Sequence, residues 1–492
     1  MRRFSTRLND QVDLGVLIAL ALLLCVIGGS RLIYPFDVGH FEACTWTPAS
    51  LSAQGQNPYA YATREPFVMA PYGYFYYLVV GLGLRAFGWQ FWFGRALTVL
   101  SAAVCVVCVA SIARAVTSDR RALMLGGLSF LSTITLFHWI AVHRPDLPAL
   151  ALAFAALALV FTERETRDRI GPRTLVIIAL LTLAFFFKQT TLLPIVVAIA
   201  RYLQTGKIKV AAAAMCGVAL SGAIVAAALD LTSGGGYFWQ HLTLAGRIPQ
   251  SYADAMRWLF SLCKSPSFWI AFGLIGAAMF DSARGIPPGS RVSLSLRAPD
   301  WLVYGYLIVA FIFGFVTSAR RGAYINYYLE ASMVGAIAVS LAWHRLASHE
   351  KWRRLYPAMA VLMLLAGTFE FSRMARAESY RWRSLPYYRE VVATLEREVP
   401  ADGLCVSVHP ELAVAAGRKF HFGDWIQYQD GRSAELQEVF AGAVASKRYA
   451  AIVWLTPNVT ELPGYRLLPM KERLPDKHYP LFVYLLDSRN AR

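Results

Sequence analysis

Residues 143–203 read HRPDLPALALAFAALALVFTERETRDRIGPRTLVIIALLTLAFFFKQTTLLPIVVAIARYL. Apolar runs at 147–162, 174–187 and 190–203 are separated by a basic connection, 163–173, and by a two-residue turn at 188–189. Each run is a little shorter than the roughly 20 residues that cross a hydrocarbon core as a helix. Lipid offers no hydrogen-bond partners, so chain that crosses it must pair its own backbone groups, and these runs are expected to be helical. The charges are confined to the connections, as in a chain surrounded mostly by lipid.

The same pattern extends in both directions. Of the 492 residues, 57% are hydrophobic and only 16% charged, with a mean hydropathy of +0.43. A soluble domain of this length needs more charge to cover its surface. Further apolar stretches fall at 14–29, 94–113, 123–141, 210–229, 267–280, 301–317, 326–343 and 356–371, which makes about eleven expected spans in all. The net charge of +17 raises nucleic-acid binding as a reading. The basic residues, however, lie mostly in loops between apolar stretches, where membrane topology accounts for them. Cys105 and Cys108 form a C-x-x-C inside one stretch without a partner pair or nearby His, and read as small hydrophobes.

Loops 1–13, 114–122, 163–173, 201–209, 281–300 and 344–355 are rich in Lys and Arg and are assigned to the cytoplasm by the positive-inside rule. The N-terminus is then cytoplasmic and the C-terminus extracytoplasmic. Two outer loops are long. Residues 57–92, NPYAYATREPFVMAPYGYFYYLVVGLGLRAFGWQFW, and 251–265, SYADAMRWLFSLCKS, suit interfacial helices. From about 386 charge and apolar residues mix as in a soluble domain. Strands are expected at 404–409, 450–456 and 481–487, and helices at 387–398 and 433–447. The expected fold is a multi-span α-helical membrane module, 1–385, followed by a small α/β domain, 386–492.

Polar residues gather on the outer face of this topology. Asp37 and Glu42 follow the first span; His143, Arg144 and Asp146 form a hinge between two spans; Lys188 ends a run of Phe. Arg247 lies in the second long loop, and Arg320, Arg321, Asn326, Tyr327 and Glu330 lie in ARRGAYINYYLE, 319–330. Singly, an Arg or Lys at a helix end snorkels to headgroups, and Asp146 suits a helix N-terminus. The tyrosines at 72–77 suit an interfacial belt. Together, ionisable groups from several segments on one membrane face mark a candidate site.

The succession of these pieces resembles the GT-C superfamily of membrane glycosyltransferases, in particular its bacterial branch. The matching pieces are Asp37 after the first span, G-x-N-P-Y (Gly55, Asn57, Pro58, Tyr59) and P-Y-G-Y before the next helix. R-P-D at 144–146, K-Q-T at 188–190 and G-A-Y-I-N-Y-Y-L-E at 322–330 follow in order. Asp37 and Glu42 are not the adjacent Asp-Glu pair seen in part of that superfamily, which leaves the role of Glu42 open. The resemblance implies transfer of a sugar from a polyprenyl-phosphate donor to an extracytoplasmic glycan, lipid or protein acceptor, with inversion, at the plasma (inner) membrane. It implies Asp37 as general base, with Asp146 and Glu42 in the catalytic group, and Lys188, Arg247, Arg320 and Arg321 on the donor phosphate. His143, Arg144, Tyr59, Asn326, Tyr327 and Glu330 would then contact substrate. No cofactor is expected; a divalent metal between Asp37 and Asp146 is compatible with the residues, but a monosaccharide-phosphate donor does not require one. The alternatives are a lipid-linked glycan polymerase or ligase, and a transporter or flippase. A transporter would place its charges near the bilayer midplane, often in two related halves, whereas here they fall at span ends.

Overall fold

The structure is a computed structural model that describes residues 2–38, 42–61, 68–165, 168–244, 246–284, 298–320, 322–407, 409–421, 434–454, 465–468 and 482–486. Helix α1 is Arg2–Ile33, α2 Glu42–Ala53, α3 Tyr74–Phe87, α4 Trp92–Val116, α5 Arg120–Leu131 and α6 Ile134–Trp139. Then come α7 Asp146–Phe161, α8 Pro172–Phe187, α9 Leu193–Gln204, α10 Ile208–Ser233, the single turn α11 Gly236–Phe238 and α12 Tyr252–Cys263. The module closes with α13 Pro266–Arg284, α14 Ala298–Ser318, α15 Leu329–Leu346 and α16 Glu350–Arg383.

Every expected apolar stretch lies on helix. Among the described residues, 6 helical segments are long and apolar enough to cross a membrane, lying in α1, α4, α10, α14, α15 and the run of α16. A seventh is α12 with α13 if that pair, bent by 80°, is one broken span. The difference from eleven lies in length: α7, α8 and α9 are apolar but only 16, 16 and 12 residues long. The stretch at 123–141 is two helices, α5 and α6. Ser132 and Thr133 donate their hydroxyls to the carbonyls of Ser129 and Phe130, and Thr133 is extended, which ends the first helix.

Local chemistry sets the other boundaries. Asp119 caps α5 by accepting from the Arg121 N–H at 2.9 Å. Pro172 opens α8 after Gly171, and Gly234 in the left-handed region closes α10. Helix α15 is the axis of the bundle, with 83% of its apolar window buried, against 17% for α10 at the rim. Helix α4 packs on α7, α7 on α8, α15 on α5, and α1 along α16. The two long loops carry helices as expected: α2 and α3 pack on each other in the first, and α12 lies in the second.

The tail is α/β. Helix α17, Leu385–Glu398, precedes strands β1 Leu404–Ser407, β2 Lys419–His421, β3 Ala451–Trp454, β4 Tyr465–Leu468 and β5 Phe482–Leu486, with α18 Pro410–Ala415 and α19 Ala434–Ala445 between them. The sheet order is β2-β1-β3-β5-β4. Strand β1 runs parallel to β2 and β3, whereas β5 is antiparallel to β3 and β4. The three expected strands and both helices are present, and β2 and β4 are additional. Helix α18 rests on α2, so the sheet packs against the first long loop.

Candidate functional site

A single guanidinium organises the first long loop. Arg95, near the start of α4, is fully buried. Its Nε and Nη2 donate to the Glu42 carboxylate at 3.0 and 2.6 Å. The remaining N–H groups reach the carbonyls of Arg31 (2.6 Å), Tyr34 (2.5 Å) and Phe36 (2.5 Å). Glu42 is saturated in turn. Besides Arg95 it accepts from the backbone N–H of Val38 at 2.7 Å and of His143 at 2.5 Å. Burial alone would raise the Glu42 carboxyl; the Arg95 charge and its hydrogen bonds outweigh that and hold it below its usual range. Asp37 stands beside this knot. Its Oδ2 accepts from the N–H groups of Glu42 and Ala43, at 3.0 and 3.2 Å, at the N-terminus of α2. Arg381, at the end of α16, secures the same loop by donating to the Val38 carbonyl at 2.6 Å.

The knot leads directly to the hinge. Between α6 and α7 the chain reverses through Ala141, which is in the left-handed region at φ 55. Arg31 donates to the carbonyls of His138 and Ile140 just before it, at 2.9 and 2.7 Å. His143 is fully buried beside Tyr76 and Phe91, with ring centroids 5.9 and 6.2 Å away. Burial depresses its imidazole to about 4, against the pull of Glu42. Arg144 lies over the rings of Tyr72 and Trp139, at 5.2 and 5.4 Å.

Asp146 opens α7 and forms the second centre. Its Oδ1 accepts from the Lys188 ammonium and from Asn326 Nδ2, the latter at 2.5 Å. Lys188, at the end of α8, also lies 4.5 Å from the centroid of Tyr327. Glu330 accepts from the Tyr306 hydroxyl at 2.6 Å. Asp146, Lys188, Thr190, Asn326, Tyr327 and Glu330 line one pocket. Two buried atoms in it, Asp146 Oδ2 and Asn326 Oδ1, lack a hydrogen-bond partner among the described residues. Buried polar atoms are normally satisfied, so a bound polar ligand or water fits there.

The residues singled out in the sequence therefore fall into distinct groups. Asp146, Lys188, Asn326, Tyr327 and Glu330 share the pocket. Asp37, Glu42 and His143 adjoin it through hydrogen bonds and the 143–146 hinge; Asp37 is not among the lining residues. Tyr59 is fully buried, donates to the Tyr72 carbonyl at 2.6 Å and packs on Tyr237, which makes it a brace of the loop. Arg247 and Arg320 are exposed, and Gln250 pairs with Arg320 in an isolated bridge. Arg321 lies outside the described residues. Among the described residues no three His, Cys, Asp or Glu side chains converge as a metal site requires, and Asp146 is engaged by Lys188 and Asn326.

Sequence reading passed over Arg95, although a lone cation inside an apolar stretch is itself a signal. It also passed over His241, whose Nε2 lies 2.6 Å from Gln189 Nε2 in the K-Q-T stretch. His241 sits in a π-helical turn, Trp239–Leu244, a local distortion common at functional sites.

The sequence matches no family profile and no curated protein. Its fold does match solved structures. ArnT from Cupriavidus metallidurans in the apo state superposes with a TM-score of 0.65 at 12% identity, covering 96% of this chain and 97% of that one. The same enzyme bound to undecaprenyl phosphate gives the same TM-score and identity, covering 98% of its chain. The oligosaccharyltransferase AglB from Archaeoglobus fulgidus, in complex with an inhibitory peptide and a dolichol-phosphate, gives 0.50 at 11% identity, covering 90% of this chain and 69% of that one. The chain is a helical membrane protein with the fold of the GT-C glycosyltransferases.

Proposed function

We propose that this protein is an integral membrane glycosyltransferase that moves a sugar from a polyprenyl-phosphate donor to an extracytoplasmic acceptor hydroxyl. The observation that carries the reading is that Asp37 and Glu42, in the loop after α1, are tied by hydrogen bonds to the start of the 143–146 hinge, whose Asp146 pairs with Lys188. The likeness to ArnT, solved with undecaprenyl phosphate, supports the donor class.

In this reading Asp37 takes the proton of the acceptor hydroxyl as its oxygen attacks the anomeric carbon. The bond from that carbon to the phosphate oxygen breaks, and its electron pair leaves with the lipid phosphate. A single displacement inverts the anomeric configuration. Lys188, held in place by Asp146, meets the charge growing on the leaving phosphate. Arg144 shares the hinge with Asp146, and Arg247, Arg320 and Arg321 are the further cations assigned to the donor phosphate in this reading. Asn326, Tyr327 and Glu330 contact the sugar or acceptor from the far wall of the pocket. Glu42, with both oxygens occupied, positions Asp37 and the hinge. The orientation that serves this chemistry has a cytoplasmic N-terminus and an extracytoplasmic tail domain at the plasma (inner) membrane. The short helices α7, α8 and α9 and the broken pair α5 and α6 then join the seven longer spans in a set of eleven.

The test is transfer by the purified protein in liposomes supplied with labelled polyprenyl-phosphate sugars and cell-envelope extract. Asp37→Asn is expected to lower transfer about a thousandfold while the protein remains inserted and folded. Full activity of that variant removes Asp37 from the mechanism. Transfer from a polyprenyl-diphosphate sugar alone moves the protein to the polymerase or ligase class.

A further inference from the structure

The tail domain brings an ionisable pair to the first outer loop that the chemistry above does not use. His409, between β1 and α18, is 4% exposed and Glu411 is 3% exposed. His409 Nδ1 lies 3.0 Å from Glu411 Oε1. The backbone at His409 is fixed by Ser407, whose Oγ accepts from the His409 N–H at 3.0 Å and donates to the His409 carbonyl at 2.7 Å. Burying two ionisable side chains is costly unless they are paired and hydrogen-bonded, as these are.

Their neighbours show what the pair faces. The His409 ring meets Tyr388 of α17 edge-on, with centroids 5.9 Å apart. Tyr388 in turn packs on Phe36 at 5.5 Å, the residue before Asp37. Helix α18 rests on α2, whose N-terminal amides bind Asp37. Burial would strip the proton from His409, but the charge and hydrogen bond of Glu411, together with the charge of Asp37, raise it above the ordinary histidine value. The charges of Asp37 and Glu411 are likewise both felt at Tyr34 and Tyr388, where Arg381 and Arg95 oppose them at Tyr34. The ionisable groups around the pair are therefore Glu411 on α18, Tyr388 on α17, and Asp37 and Tyr34 in the first loop, with Arg381, Arg95 and Glu42 behind them. Glu411 Oε2 has no hydrogen-bond partner among the described residues, so the pair carries spare acceptor capacity within the buried seam.

We infer that His409, kept protonated by Glu411, is a positioning residue for Asp37: the docked tail domain supplies a cation that keeps the Asp37 carboxylate ionised and aligned for its role as base. The inference rests on the proposed role of Asp37. It makes the tail domain part of the catalytic apparatus, and the base is fully set only while the domain is seated.

The experiment is the pH profile of kcat/KM for the full-length protein in liposomes, with a polyprenyl-phosphate sugar as donor. In His409→Gln the acidic limb is expected to move to higher pH by about one unit, because the carboxylate loses a nearby cation. His409→Lys, which keeps the charge, is expected to hold the limb at the wild-type position. Glu411→Gln, which removes the group that retains the His409 proton, shifts it in the same direction as His409→Gln. Monodispersity on size exclusion verifies folding for each variant. A merely structural role lowers the rate across the whole pH range and leaves the limb where it was, and that result overturns the inference. If Asp37→Asn is inactive and the limb does not move in His409→Gln or Glu411→Gln, only this inference falls. If Asp37→Asn retains full transfer, the base assignment falls and takes this with it.

Discussion

Arg95 makes the largest demand on its surroundings. A guanidinium carries five N–H donors and does not give up its proton, so a fully buried one must find an acceptor for each. Arg95 does so with the Glu42 carboxylate and three carbonyls from the end of α1 and the loop after it. Removing one partner of such a pair costs about 3–5 kcal/mol because the other is left buried and charged. Arg95→Met and Glu42→Gln should each lower the melting temperature in detergent strongly, and the double variant should lose less than the sum. Strict additivity would mean that the two side chains do not act as a pair. In the proposed chemistry Lys188 meets the leaving phosphate. Lys188→Ala should weaken binding of a polyprenyl-phosphate sugar about thirtyfold in a direct binding measurement, while an acceptor analogue binds as before. That Asp146, Lys188, Asn326 and Glu330 are candidates was legible in the sequence, because they are polar residues at the ends of apolar stretches, and the structure brings these four to one pocket. Arg95 was not, because its partner lies 53 positions away and only folding shows that the two meet.

At the scale of elements, hydropathy located the helices but not their interruptions. The Ser132–Thr133 break depends on hydroxyls turning back to carbonyls, a local choice that leaves the apolar character of 123–141 unchanged. Strands β2, KFH, and β4, YRLL, each carry a basic residue and lack the run of buried apolar residues that marks β1 and β3. The contact of α4 with the hinge was likewise invisible, and it hangs on one glycine. A Cβ on Gly94 would lie 2.2 Å from His143 Cδ2, so the ring fits only because that position has no side chain. Gly94→Ala should displace His143 and the turn that carries Asp146. The expected cost is about 1–3 kcal/mol of overpacking, with a fall in transfer rate larger than the stability change explains. Parallel measurement of melting temperature and turnover checks it; unchanged turnover would show that the hinge tolerates the shift.

For the whole molecule, the junction of membrane module and tail domain has its own pH dependence. His409 is raised above its ordinary value of 6.5 in the folded state. The stability it contributes is therefore fully present below that value and is lost as pH rises through the higher folded value. Thermal unfolding of the full chain between about pH 6 and pH 9 should show the tail domain weakening toward the alkaline end. The slope should flatten in His409→Gln; an equal slope in both would place the titrating group elsewhere. The composition changes near residue 386, where α17 opens the stretch that holds the sheet. The seating of α18 on α2 was not readable in the sequence, since no local pattern reports which surfaces of two domains meet.

Helices α7 and α8, at 16 residues each, rise only about 24 Å, whereas the hydrocarbon layer of an ordinary bilayer is about 30 Å thick. Asp146 and Lys188 stand at the ends of these two helices that share the pocket. Helix α7 is buried among its neighbours, so in the proposed orientation it is along the exposed flank of α8, at Leu175 and Val176, that acyl chains must compress or tilt to meet a protein wall too low for them. The headgroup plane then dips toward the carboxylate and the ammonium, and an anionic phosphate on a long isoprenoid tail can reach them by sliding sideways along that slope without leaving the leaflet.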